Sequence, residues 1–244
     1  MSVIRSGDLA DLRARYHRYG YAVQSKFLAP EECREIVAKV EGHREKMIPV
    51  EIDSWIAKNR FFTINGEELE ALVPAVTRIS RELCEVVSEL EGRQLAPLEN
   101  KTIGLSLNLT PASGTLSWHY DRNLVTAVVH LNEVEGGEFE GYPRYRIRVR
   151  NNHRGPRKLL QRVFDLTLRP ARVRALFGNK QVIEPSVGAA AFMDSTCLHQ
   201  VAPVRGTTSR AAIILCYDEP GKVFSRDKTQ NYYGYRDRPA RVYG

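Results

Sequence analysis

Residues 181–218, QVIEPSVGAAAFMDSTCLHQVAPVRGTTSRAAIILCYD, decide the fold class. Three short apolar runs, QVIEP, GAAAFMD and SRAAIILCYD, are separated by Gly, Pro, Ser and Thr. Short runs punctuated this way have the rhythm of strands in a sandwich or barrel. The same texture reaches back over KTIGLSLNLT (101–110), LVTAVVHLNEV (124–134) and YRIRVR (145–150). YRIRVR alternates aromatic or aliphatic residues with arginine, which predicts a strand with one buried and one cationic face. PRKLLQRVFDLTL (156–168) differs: Leu159, Leu160, Val163, Phe164 and Leu166 predict a helix inserted between strands.

Upstream of residue 98 the pattern is helical. DLADLRARYHR (8–18) places Leu9, Leu12 and Tyr16 on one side, and GYAVQSKFL (20–28) reads as a strand. APEECREIVAKVEGHREK (29–46) has Pro30 near its first turn, Glu31 and Glu32 at the positive end, and Ile36, Val37 and Val40 on one face. One further helix is expected through EELEALVPAVTRISRELCEVVSELEG (67–92), with Pro74 near its start or at a kink and Gly92 as its stop. Helices first and antiparallel strands afterwards predict an α+β domain with the helices packed on one face of a β-sandwich.

The 244 residues fit one domain, 1–244, and 43% hydrophobic content supplies a sizeable core. Its parts are a helical 1–98, a β core over 101–218 and a tail over 219–244. No apolar run is long enough to span a bilayer, and the N-terminus lacks the apolar centre of a signal peptide. A cytoplasmic protein without a membrane partner is expected. Cys33, Cys84, Cys197 and Cys216 are scattered and read as buried hydrophobes in a reducing compartment.

The net charge of +7 is localised. Residues 144–180 hold twelve Lys and Arg against one acid, Asp165, while the rest carries 24 basic and 28 acidic residues. The chain is therefore near neutral with one basic insert, which weighs against a general nucleic-acid binder.

In SWHYDRN (117–123), His119 and Asp121 leave the same face of a strand. A surface pair is one reading. The other is part of a metal site of two imidazoles and one carboxylate, which leaves coordination positions open. His199, lying between GAAAFMD and SRAAIILCYD, is the candidate third ligand, and Trp118 should face the other side to pack. His17, His43 and His153 are expected at the surface.

The ordered set His119-x-Asp121, Leu131-Asn132, Gly136-Gly137-Glu138, Pro185-x-x-Gly188, His199 and Arg210 resembles the iron(II)- and 2-oxoglutarate-dependent dioxygenases. The likeness is to their prolyl-hydroxylase-like and phytanoyl-hydroxylase-like branches. RYGYAVQSKFLAPEECREI (18–36) is also similar to the opening of those families, so the resemblance covers most of the chain. It implies a double-stranded β-helix (jelly-roll or cupin-like) core. It also implies Fe(II) on His119, Asp121 and His199, 2-oxoglutarate as cosubstrate, and O2. Arg210 would hold the distal carboxylate of 2-oxoglutarate, a role that suits a guanidinium fork. His130 stands where the family can have a tyrosine; it either bonds the same carboxylate or is a satisfied core histidine. Thr126, on the same face, is a further polar candidate. Asn108 faces the cosubstrate or makes a structural hydrogen bond.

The reaction implied is hydroxylation of a C–H bond, with succinate and CO2 as coproducts; desaturation stays open. Asp121 occupies the position that is small in the related halogenases, which argues against halogenation. Arg122 and Asn123 are candidate substrate contacts. A basic lid over 144–180 suits an anionic or amino-acid-like small molecule, or one tethered to an acidic carrier protein; a solvated face is the plain alternative. The Tyr- and Arg-rich QNYYGYRDRPARVYG (230–244) either closes over the site or frays. Rival readings are an oxygenase acting on a macromolecule and a non-catalytic metal-binding β-sandwich.

Overall fold

The computed structural model describes residues 6–53, 58–121, 123–147, 155–168 and 170–222. Helix α1 (Ser6–Tyr19) leads into strand β1 (Tyr21–Gln24), then α2 (Pro30–Glu41). A hairpin of β2 (Ile48–Asp53) and β3 (Lys58–Asn65) follows, then helices α3 (Gly66–Leu72) and α4 (Ala75–Glu91). The short β4 (Ala96–Pro97) and α5 (Lys101–Gly104) precede β5 (Leu105–Thr110), β6 (Leu116–Tyr120), β7 (Val125–His130) and β8 (Phe139–Tyr142). The insert contributes α6 (Gly155–Thr167) and α7 (Ala171–Phe177). The chain then forms β9 (Gln181–Ile183), β10 (Ala190–Asp194), β11 (Leu198–Val201) and β12 (Arg210–Asp218).

All the strand pairings are antiparallel, in the order β1-β10-β7-β12-β5-β3-β6-β11-β8-β9. Among the described residues a single register pair, Asn59 opposite Leu116, joins the larger part, β1 to β3, to the smaller part, β6 to β9. The sheet curls on itself as a jelly roll, and the domain is α+β as expected.

Period-two alternation sorts the side chains of the larger part. Leu105, Leu107 and Leu109 on β5, Val125, Ala127 and Val129 on β7, and Ala211, Ile213, Leu215 and Tyr217 on β12 turn outward. There they share one core with Leu12 and Tyr16 of α1, Ile36 and Val40 of α2, and Ile79, Leu83, Val86 and Leu90 of α4. These helices therefore shield the outer face, and the opposite face is left to line the roll. In register on that inner face stand Asn108, Ala212 and His130, with Cys216 opposite Thr126.

Three expectations change. The helix through 67–92 is two helices: Val73 is non-helical (φ −130°, ψ 78°) because a residue before proline is pushed out of the α region, and Pro74 opens α4. Residues 48–65, with no element expected, form the β2–β3 hairpin, and β3 joins the two parts of the sheet. Tyr145–Ile147 are not a strand; Arg146 turns back onto the protein, and residues 148–150 lie outside the described residues.

Candidate metal centre

β6 and β11 are neighbours, with His119 directly opposite His199. Their rings lie 4.2 Å apart, and Asp121 follows the end of β6. One ligand atom from each of His119, Asp121 and His199 falls within 4.8 Å of the others, the only such cluster among the described residues. Asp121 Oδ1 is 3.8 Å from His119 Nε2, and Oδ2 is 3.6 Å from His199 Nε2.

The tautomers suit a cation. His119 Nδ1 donates to the Ser117 carbonyl (2.8 Å) and His199 Nδ1 to that of Cys197 (3.2 Å). In the neutral rings Nε2 is then the nitrogen available to a metal, and both Nε2 atoms are turned toward the carboxylate. The carboxylate is itself oriented. Thr126 Oγ1 donates to Asp121 Oδ2 (2.6 Å), and Asn123 Nδ2 donates to Thr126 Oγ1 (2.8 Å) and to the Val125 carbonyl (2.7 Å).

Thr126 and Asn123 are engaged within the protein. Both are buried, at 3% and 4% exposure, and their polar atoms serve Asp121 and the start of β7. Asn123 Nδ2 makes its contacts within the protein, to Val125 and Thr126. Arg122 lies outside the described residues, as do His153 and 223–244 of the tail.

Thr126 also ties the inner face of β7 to the triad. Farther along that face, Arg210 and His130 are buried, and Arg210 Nη2 donates to His130 Nδ1 (3.4 Å). Arginine can only donate, so the His130 proton sits on Nε2. Burial first, and the Arg210 charge second, lower the His130 pKa to about 3, so this ring is neutral. Burial lowers the Arg210 pKa to about 10, which still leaves it charged at neutral pH. No acid among the described residues pairs with it. Arg210 Nε, His130 Nε2 and Asn108 Oδ1 are buried without hydrogen-bond partners among the described residues. A buried cation with one unpaired donor of its own and a second beside it on His130 is costly unless an anion joins them.

The loops that sequence reasoning matched as motifs hold this arginine. Asn132 Nδ2 donates to the Ser209 carbonyl (2.7 Å) and its Oδ1 accepts from Ala211 N (2.8 Å), bracketing Arg210. At Gly137 (φ 65°), a Cβ would stand 2.9 Å from Arg210 Cδ. At Gly188 (φ 73°), it would stand 2.1 Å from the Leu28 carbonyl oxygen, while Gly188 N donates to the His130 carbonyl (2.8 Å). Phe139, next in that hairpin, stacks on His199 (5.2 Å) and packs with Val128 and Ala212, neighbours of His130 and Arg210 on the inner face.

Sequence reasoning missed how the insert grips this end of the roll. Arg146 donates to both carboxylate oxygens of Asp165 (2.9 and 2.6 Å) and to the Asp121 carbonyl (3.2 Å). Gln161 Nε2 bonds Asp165 Oδ1 (2.8 Å) and the Ile147 carbonyl (3.0 Å). Arg174 of α7 lies 4.1 Å over Trp118. The insert therefore touches residues on either side of His119. Asp165 was visible as the lone acid of the insert; its partner was not.

With the geometry in hand, the chain can be set beside solved structures. One is the epimerase SnoN in complex with Fe3+, alpha ketoglutarate and nogalamycin RO, at TM-score 0.68 and 16% identity over 98% of this chain and 93% of that one. A second is a prolyl-4-hydroxylase of Pseudomonas putida, at TM-score 0.57 and 15% identity over 87% and 100%. A third is an oxidoreductase of the 2OG-Fe(II) oxygenase family from Burkholderia pseudomallei, at TM-score 0.58 and 13% identity over 88% and 93%. The fold is that of the 2OG-Fe(II) oxygenases. No family model and no curated relative matches the chain. At these identities the oxygenase likeness is one of fold, and the residues of the site carry the chemistry.

Proposed function

We infer that the chain, as one domain over 1–244, is an Fe(II)- and 2-oxoglutarate-dependent dioxygenase. It would hydroxylate an unactivated C–H bond of a small anionic or amino-acid-like metabolite, as a biosynthetic tailoring enzyme does. The observation that carries this reading is the pairing of the His119–Asp121–His199 cluster with a buried arginine, Arg210, that has no acid partner among the described residues. A metal site alone fits many enzymes. A metal site in the same roll as an uncompensated guanidinium fits one that also takes a dicarboxylate.

The residues fit both groups. His119, Asp121 and His199 would hold the iron, a two-histidine, one-carboxylate set that suits Fe(II) and leaves positions open. Arg210 would hold the distal carboxylate of 2-oxoglutarate, with His130 Nε2–H as a second donor. When bound, iron and 2-oxoglutarate with O2 supply the oxidising chemistry and yield succinate and CO2. The chain supplies position. Thr126 and Asn123 set the plane of the Asp121 carboxylate, Ser117 and Cys197 set the imidazole tautomers, and Phe139, Val128, Met193 and Ala212 keep the interior apolar. Neutral His130 places one proton beside Arg210 without adding a charge.

The twelve cations of the insert support an anionic substrate, free or carried on an acidic protein. A second reading, a macromolecular substrate, draws on the same insert. It is also consistent with a structural neighbour, a Trichoplax adhaerens prolyl hydroxylase in complex with a peptide fragment.

Equilibrium dialysis of 2-oxoglutarate against wild-type and Arg210→Met protein, each loaded with Mn(II), tests the proposal. Retained manganese with lost 2-oxoglutarate supports it. Unchanged 2-oxoglutarate binding in the variant would place the cosubstrate elsewhere.

A further inference from the structure

Helix α6 is inside out. Its polar residues Gln161 and Asp165 face the protein and are bonded to Arg146 and the Ile147 carbonyl, while Leu159, Val163 and Leu166 (i, i+4, i+7) face solvent. Leu160 is exposed beside them, and α7 adds Leu176 and Phe177 at 77% and 75% exposure. Eight of the nine exposed large hydrophobics among the described residues lie between Ile147 and Val182, so the exposed apolar surface is concentrated in the insert.

The charge around the face selects its partner. Arg162 and Arg172 are exposed on the same helices, and the one acid of the insert, Asp165, is held by Arg146. A second copy meeting this face with its own would set cations against cations. Residues 223–244 carry five Lys and Arg against two Asp, so that segment is also the wrong sign. Leu159, Leu176 and Phe177 are most of the way out of the surface. Protruding Leu and Phe side chains flanked by arginine match a helix lying in the interface of an anionic bilayer.

We propose that α6 and α7 form a peripheral docking surface for an anionic lipid membrane. The sequence expectation of no membrane partner rested on the lack of a spanning segment, and no helix among the described residues is long and apolar enough to cross a membrane. Lying on a bilayer is a separate property. Because Arg146 joins this insert to the Asp121 carbonyl, the docked face sits on the element that contacts the metal-site loop. The proposal is independent of the iron and 2-oxoglutarate reading, and its test needs neither.

The test is co-sedimentation of the full chain with vesicles of phosphatidylcholine alone or in a three-to-one mixture with phosphatidylglycerol. The wild type is expected to partition onto the mixed vesicles and not onto phosphatidylcholine alone. Leu159→Glu with Phe177→Glu should lower partitioning about tenfold or more, and Arg162→Glu about fivefold. All three sites are exposed, and an unchanged thermal midpoint checks that the variants fold. Wild-type protein that stays in solution would overturn the proposal. So would a Leu159→Glu, Phe177→Glu variant that binds like wild type, since net charge alone would then explain adsorption. Binding to soluble polyglutamate without binding to vesicles would replace the bilayer with an acidic protein.

Discussion

Thr126 Oγ1 donates a 2.6 Å hydrogen bond to Asp121 Oδ2, which makes a residue of β7 part of the mounting of a carboxylate at the end of β6. Thr126→Val keeps the shape and removes the donor. Outer partners of metal ligands typically matter by about 10- to 100-fold in affinity, so Mn(II) binding should weaken about tenfold or more. Thr126→Ser should restore it. Equal binding by the valine variant would reduce the contact to packing.

Arg210→Ala has two expected signatures. Loss of a buried partner of a carboxylate costs about 3 kcal/mol, roughly a hundredfold in 2-oxoglutarate affinity, with metal binding retained. Without ligand, removing an isolated buried cation should not lower the thermal midpoint, because the charge has no acid partner to lose among the described residues. Calorimetry and thermal unfolding with and without 2-oxoglutarate read both effects.

His130 gives an acid-limb prediction. Its pKa in the fold, about 3, lies below the ordinary value of 6.5, so the unfolded chain binds the extra proton between those limits. Folding stability from this group is complete above pH 6.5 and falls by about 1.4 kcal/mol per pH unit as pH drops toward 3. At pH 5 the loss is about 2 kcal/mol. Carboxylates titrate in the same range, so the readout is the difference from His130→Gln in denaturant unfolding at pH 7 and pH 5. The variant should lose less stability over that interval than the wild type.

The Arg146–Asp165 pair is largely buried, with side chains 15% and 17% exposed, and it anchors the insert. Arg146→Met leaves the carboxylate of Asp165 without its ion pair. The expected result is faster amide exchange over α6 and a stability loss of about 2 kcal/mol, with little change in exchange over β5, β7 and β12. Uniform loosening of the whole chain would contradict a local anchor.

Much of this was legible in the chain because period and punctuation are local properties. The runs around β5, β7, β10 and β12 carry their alternation on their face, and His119, Asp121, His199 and Arg210 stand in an ordered pattern. What was not legible is tertiary. Between strands β2 and β3 the sequence Ser54-Trp55-Ile56-Ala57 offers no Gly or Pro to announce a hairpin. YRIRVR alternates like a strand, yet Arg146 is drawn to Asp165, nineteen residues on, and no spacing rule announces that pair. Thr126 and Asn123 look like pocket polar groups in sequence, and only the fold shows that their hydrogen bonds are taken up by Asp121 and β7. Likewise, the apolar stripe of α6 reads as core until its polar side is seen facing inward.

The central claim, one site holding iron and 2-oxoglutarate together, is met most directly by an anaerobic titration. Metal-free protein is given Fe(II), then 2-oxoglutarate, while the visible metal-to-ligand charge-transfer absorption is followed. A band in the wild type that is absent in His119→Ala is the predicted result. Folded wild-type protein that binds Fe(II) but develops no band on adding 2-oxoglutarate would contradict the account.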